Sequence, residues 1–276
     1  MAMAVAPGQT PQQLVRPVTP VPTPRPTAKP EPALAVTEGP FEIYRKIGSA
    51  STSDRRDAFA QLGWKEYLDF EDPDLIGNTG FYQVNLDDDP EMEAIIKVDI
   101  SFPTQTWVLI FKHKDGEWRR IGDFRLWYLW DPDKAERMLE LRNIVDLSHK
   151  EILIRQSAGG TDIQRCTDLT IYRVYDGLLY QTFETTEDFA SHPMTRQGLT
   201  PDIEEVRHDI SWRGADNGEA PYLFVHNSKR WVPDSAWGVV EVPFKSTGCD
   251  AWRWDPVEYL FIRDRAASVR LCPQPH

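Results

Sequence analysis

Four oxygen-bearing side chains, Asn85, Asp87, Asp89 and Glu93, fall at positions 1, 3, 5 and 9 of one short acidic segment. Calcium takes roughly six to eight oxygen ligands around one point, and alternating carboxylates on a tight loop supply several of them without long-range help. These four residues are the metal-ligand candidates, and calcium is the cofactor they suit. The competing reading is a solvated acidic turn whose charges keep a strand edge from pairing with other chains.

Acid–base chemistry has one weaker candidate. His208 and Asp209 follow Glu204 and Glu205, and a histidine beside carboxylates can move a proton when a second reacting group is within reach. A hydrolase acting on polysaccharide would need carboxylates such as Asp87 or Asp209 to be brought together by folding. The chain has no GxSxG nucleophile elbow, no GxxxxGK phosphate loop, no HExxH and no GxGxxG. Gly159-Gly160-Thr161 precedes a strand pattern, so the helix amino end that would bind phosphate is missing. No catalytic residue is assigned, and the chain reads as a non-enzyme.

The run Val84-Asn85-Leu86-Asp87-Asp88-Asp89-Pro90-Glu91-Met92-Glu93-Ala94-Ile95-Ile96 resembles the aspartate-rich loop and following strand of FG-GAP or VCBS-type repeats, found in bacterial exported and adhesive proteins. In that family the loop often binds calcium and the repeats build propeller blades or related β modules. The resemblance therefore implies a non-catalytic display or adhesion role. It covers residues 84 to 98 and, more faintly, 145 to 155. Pro90 stands where the family has the glycine of its sharp turn, and Asp146-Leu147-Ser148-His149-Lys150-Glu151 keeps few of the ligand positions.

The elements that would position these residues carry an internal pattern. Val84, Leu86, Ile110, Lys112, Asp115 and Gly116 recur sixty-one residues later as Val145, Leu147, Ile171, Arg173, Asp176 and Gly177. Each copy reads as a strand, a polar turn, a second strand and a hairpin on Asp-Gly, the dipeptide that tolerates positive φ at both turn positions. Strands are expected over 93–100, 106–112 and 117–124, then over 151–155, 169–175 and 178–183, and later over 222–226, 238–242 and 259–263. Residues 184–221 read as an irregular connection or a poorly formed third copy. One helix is expected at 53–62, with Ser53 as cap, Ala58, Phe59 and Leu62 as its apolar stripe and Gly63 as its stop. Residues 131–142 fit a helix or, after Arg137, a strand, and the strand is preferred.

Composition bounds the partners. A net charge of −12 lacks the basic excess that a nucleic-acid groove or an anionic membrane surface requires. No stretch approaches the roughly eighteen consecutive apolar residues of a membrane span. Residues 1–40 hold ten of the twenty-two prolines and no aromatic residue, which reads as an extended or disordered arm. Ala2-Met3-Ala4 resembles the tail of a signal cleavage site, so a periplasmic or extracellular location is expected, with the cytoplasm as the alternative. Cys249 and Cys272 could close a loop, leaving Cys166 over, or all three could be reduced.

Ten tryptophans invite two uses. Trp127, Tyr128, Trp130, Trp252 and Trp254 are the candidate partner-binding residues, set against the alternative that these rings fill a core. Carbohydrate stacking is a lesser option. The expected architecture is all-β: a single domain over 41–276 in an open or sandwich-like arrangement, made of two related β units plus a divergent third, with one N-terminal helix. The expected function is a non-catalytic, exported binding or accessory protein that engages a partner protein or larger assembly through its arm and aromatic surface. A calcium-stabilised adhesion-type module and a polysaccharide-acting hydrolase are the alternatives.

Overall fold

The computed structural model describes residues 34–64, 76–100, 105–127, 138–161, 164–192, 194–195, 198–199, 202–214, 220–234 and 241–272. Strands dominate. β2 (Ile76–Val84), β3 (Glu93–Ile100), β4 (Gln105–Lys114) and β5 (Glu117–Trp127) form an antiparallel meander, and β1 (Leu34–Val36) adds to the free edge of β5. β6 (Leu139–Arg142), β7 (Glu151–Thr161), β8 (Gln164–Tyr175) and β9 (Leu178–Ser191) form a second meander. β12 (Asp202–Arg213), β13 (Tyr222–Pro233), β14 (Lys245–Asp255) and β15 (Leu260–Arg263) form a third, joined to the second through β9 and β12 into one eight-stranded sheet. β10 (Met194–Thr195) and β11 (Gly198–Leu199) pair with each other.

The first two meanders share details that strand pairing alone does not require. Both turn on Asp-Gly with left-handed backbone at each residue: φ is 56° and 83° at Asp115 and Gly116, and 48° and 71° at Asp176 and Gly177. Mirror-image turns of this kind match the strand twist, and glycine enters the region without a Cβ clash. Each also carries a β-bulge in the same register. Ile121 is the extra residue between the Ile110–Gly122 and Phe111–Arg120 pairs, and Thr182 between Ile171–Phe183 and Tyr172–Gln181. The sixty-one-residue offset holds through this region. It fails in the preceding loop, where Val84 ends β2 but Val145 lies beyond β6 in a turn. There the matching offset is fifty-eight, pairing Glu93 with Glu151 at the starts of β3 and β7.

Alternation sorts the side chains into layers. Ala94, Ile96, Val98, Trp107, Leu109 and Phe111 face two helices, α1 (Pro40–Ile47) and α2 (Thr52–Gln61), which bury Ile43, Ile47, Ala58 and Phe59 on them. Ile95, Val108 and Ile110 face the other way and pack on Ile152, Ile154 and Val174 of the second meander. The reverse face of that meander, with Leu153, Leu169, Ile171 and Phe183, packs on Leu223, Val225, Trp254 and Phe261 of the third. The eight-stranded sheet thus rolls over on itself. Phe183 meets Trp252 and Phe261, and the Tyr259 hydroxyl reaches the Val174 carbonyl at 3.3 Å.

Several expectations need correction. The fold begins inside the segment assigned to the arm, because Leu34–Val36 is a strand and Pro40 opens α1; residues 1–33 lie outside the described residues. Among the described residues there are three short helices rather than one. Ser51, not Ser53, caps α2, and α3 (Arg265–Leu271) is capped by Asp264, whose carboxylate accepts from the Ala267 N–H at 2.8 Å. Within the segment 184–221, residues 184–191 belong to β9 and 202–213 to β12. Of the strand expected at 238–242, residues 238–240 lie outside the described residues and Glu241 and Val242 are not in a strand. Cys249 and Cys272 form a disulfide that ties α3 to β14. Among the described residues no helix is long and apolar enough to cross a membrane.

Candidate functional site

The acidic segment forms the loop between β2 and β3, and three of its four predicted ligands converge. Oxygens of Asp87, Asp89 and Glu93 lie within 4.8 Å of one another. Asp87 and Asp89 are shaped by short turns, each accepting the N–H two residues on, from Asp89 at 3.2 Å and Glu91 at 2.9 Å. Glu93, 1% exposed, turns one oxygen back to the Leu86 N–H at 2.7 Å. Asn85 contributes its carbonyl elsewhere, to the Lys150 N–H at 3.0 Å, and its side-chain oxygen has no hydrogen bond.

A cation already sits among these carboxylates. The Lys112 ammonium lies 2.6 Å from Asp87, 2.5 Å from Asp89 and 3.1 Å from Glu93. It arrives from β4, one position beyond the Ala94–Phe111 pair and so directly across from Glu93. Burial works against its charge, but hydrogen bonds to the three carboxylates outweigh burial and raise its pKa. The Lys112 hydrogen bond also holds Asp89 below the ordinary carboxylate range, while burial lifts Glu93 above it. The three carboxylates are the donor types calcium takes, but an ion could occupy their centre only by displacing the Lys112 ammonium.

The second meander repeats the arrangement with a different cation. Glu151, fully buried, accepts the Ile144 N–H at 2.7 Å, and Arg173 stands across from it, donating to Glu151 at 2.8 Å and to Asp146. Burial pushes the Glu151 carboxyl up to about 7. Burial also pushes Asp146 up, but the Arg173 and His149 hydrogen bonds prevail and hold it at about 2. The Arg173 guanidinium also lies over the rings of Trp254 and Tyr259, at 5.7 Å and 5.8 Å. The two loops meet at His149, between Asp146 at 2.9 Å and Asp88 at 3.4 Å.

A separate cleft of about 720 Å³ opens on the eight-stranded sheet, lined by β6, β7, β8, β9 and β12. At its centre Arg155 donates to Glu140 at 2.9 Å and, through two nitrogens, to Glu187 at 2.7 Å and 3.0 Å. Burial raises the Glu140 pKa, but the Arg142 and Arg155 hydrogen bonds outweigh it and bring the carboxyl below its ordinary range. A general acid needs the opposite shift, so Glu140 is not held protonated for donation at neutral pH.

The remaining predicted residues scatter. His208 and Asp209 are neighbours on β12 and point to opposite faces of the strand; His208 lines the cleft with its Nδ1 against the Thr186 carbonyl. Glu205 pairs with Arg230. Trp254 is 7% exposed and buried between the second and third meanders, and Trp252 is half-buried against the same cluster. Trp127 ends β5, and Tyr128 and Trp130 lie outside the described residues. Sequence reasoning missed the Glu140–Arg155–Glu187 group, whose members are fifteen and thirty-two residues apart and share no local pattern. Comparison with protein-family models, with curated proteins and with solved structures returns no match.

Proposed function

We propose that this chain is a non-catalytic, exported binding or accessory module built from two related β units and a divergent third. One observation carries the reading: the carboxylate clusters at Lys112, Arg173 and Arg155 are each tied together by a cation from another strand. Groups spent on one another in this way hold strands in register, and Glu151, whose carboxyl is raised to about 7, is fully buried away from any substrate. The Cys249–Cys272 disulfide supports an oxidising compartment. Native mass spectrometry of the full chain recovered from its source tests the partner, alongside a variant lacking residues 1–33. A companion lost with the arm, at an unchanged thermal midpoint, supports engagement through the arm. A companion retained by the shortened chain counts against it.

A calcium-stabilised adhesion module is the second reading, favoured by the convergence of Asp87, Asp89 and Glu93. It requires calcium to displace the Lys112 ammonium. Titrating the wild-type chain with calcium decides it: a raised midpoint supports the ion, and an unmoved one leaves Lys112 as the cation of the loop.

A further inference from the structure

Strand β12 loses one of its neighbours part-way along. It pairs with β13 over its whole length, Asp202–Arg213, but with β9 only from Glu204 to Arg207. Beyond that point the two strands part, and β9 keeps β8 as its partner back to Leu178. Among the described residues no strand lies on the β9 side of β12 from His208 to Trp212. A strand directs its main-chain N–H and C=O groups to both sides, so this stretch presents donors and acceptors that no rung of the sheet answers. The split is capped on β9 alone. There His208 Nδ1 donates to the Thr186 carbonyl, just past the last rung. No described side chain bonds the main chain of β12 from His208 to Trp212.

The cleft lies along this bare edge. Arg207, His208, Asp209 and Ile210 line it in succession. Alternate side chains of a strand face opposite ways, with Ile210 and Trp212 packed inward and Asp209 exposed outward. A cavity that touches four successive residues therefore meets the strand along its edge. β1, β2 and β15, which also end the two large sheets, do not reach it. Only another extended main chain matches such an edge rung for rung, which is how peptides add as strands to open sheets. Charge selects little here, because Glu140, Glu187 and Asp188 are held by Arg142, Arg155 and Arg207.

We infer that the cleft receives an extended peptide segment of a partner protein, which adds to β12 as the missing strand between His208 and Trp212. Alternate side chains of that segment face the floor, where Ser157 and Thr167 form a cross-strand pair. The inference rests on the reading of the chain as a binding module and supplies the chemistry of its partner.

Fluorescence polarisation of the full chain with a labelled, capped hexapeptide of alternating threonine and valine is the test. Two N-methylated forms, blocked at the odd or at the even positions, carry the decision. Successive N–H groups of a strand point to opposite edges, so one form loses at least about tenfold in affinity and the other binds like the parent. Equal loss from both forms, or loss from neither, overturns the inference. Hydrogen exchange locates the site: the peptide slows it over residues 208–212, and protection confined to β2, β6 or β15 is the contrary result. Ser157→Phe and Thr167→Phe each fill the floor and weaken binding, with unchanged exchange in β3 and β4 showing that the variants fold. Asp209→Ala keeps the parent affinity, because the main chain and not that carboxylate makes the contact. Both floor variants binding like wild type, or no binding up to about 1 mM peptide, also overturns the site. A companion still seen by native mass spectrometry then leaves the binding module standing. Cleavage of the hexapeptide, read by mass spectrometry, is the outcome that rejects the module itself.

Discussion

Lys112 and Arg173 occupy one and the same register position in two different sheets, each directly across from a buried glutamate that begins the preceding strand. In both, that glutamate also accepts the N–H of the residue seven positions upstream, Leu86 or Ile144, at 2.7 Å. Loop, strand start and neighbouring strand are thereby pinned at one point. A slip of one residue along β3 or β7 would turn the glutamate to the opposite face and strand the cation, so the pair specifies register as well as contributing energy.

Removing one partner of such a cluster exposes its cost. Lys112→Met leaves Asp87, Asp89 and Glu93 converging without a counter-charge, and a destabilisation of about 3–5 kcal/mol is expected from denaturant unfolding. Calcium should restore part of that loss in the variant, because the vacated centre then suits a divalent ion. A variant as stable as wild type would show that the ammonium is not what balances the loop.

The two carboxylates of the second cluster predict opposite pH limbs. Glu151 titrates at about 7 in the fold against an ordinary 4.5, so its contribution is fully present below about 4.5 and lost as pH rises towards 7. Asp146 titrates at about 2 against 3.8, so its contribution is present above 3.8 and lost as pH falls towards 2. Unfolding free energies from pH 4.5 to 8 should decline by an amount on the order of 3 kcal/mol more in wild type than in Glu151→Gln. Parallel profiles for the two proteins would reject the assignment to Glu151.

What the sequence discloses follows the range of the forces involved. The Asp115-Gly116 and Asp176-Gly177 turns are legible because positive φ at two adjacent residues is a local demand that few side chains meet. The start of β3 at Glu93 is legible for a similar reason, since a polar turn gives way there to Ala94-Ile95-Ile96. The carboxylate cluster was visible as a cluster, but the lysine that completes it comes from the neighbouring strand, nineteen residues after Glu93. The equivalence of Val84 and Val145 was a false match, because three residues are redistributed between the loop and the longer β7–β8 hairpin. Trp254 looked available to a partner only while the rolling of the sheet was unknown. Helix α1 was hidden by Pro40, which closes a proline-rich segment in sequence yet suits the first turn of a helix.

Contact between the two sheets can be probed at a position without a side chain. A Cβ on Gly122 would lie 3.0 Å from Ile110 Cδ1 and 3.1 Å from Leu179 Cδ2, the latter on the opposing sheet. Gly122→Ala should cost about 1–3 kcal/mol by overpacking, and Leu179→Ala in the same chain should recover part of it. Gly116→Ala is the control: open space surrounds it, so its penalty is one of backbone conformation and Leu179→Ala leaves it unchanged.

The disulfide predicts a graded loss rather than collapse. Cys249 and Cys272 are twenty-three residues apart, and closing a loop of that size contributes about 3 kcal/mol through the unfolded chain. The bond holds a small satellite cluster, where Ala251 and Ala267 pack beneath α3, apart from the larger cores around Ile96 and Leu153. A Cys249→Ser, Cys272→Ser chain should therefore keep the far-ultraviolet signature of the sheets while hydrogen exchange accelerates over 265–272 and β14. If exchange instead rises uniformly across β3, β4 and β8, the C-terminal helix is part of the main cooperative unit and the satellite description is wrong.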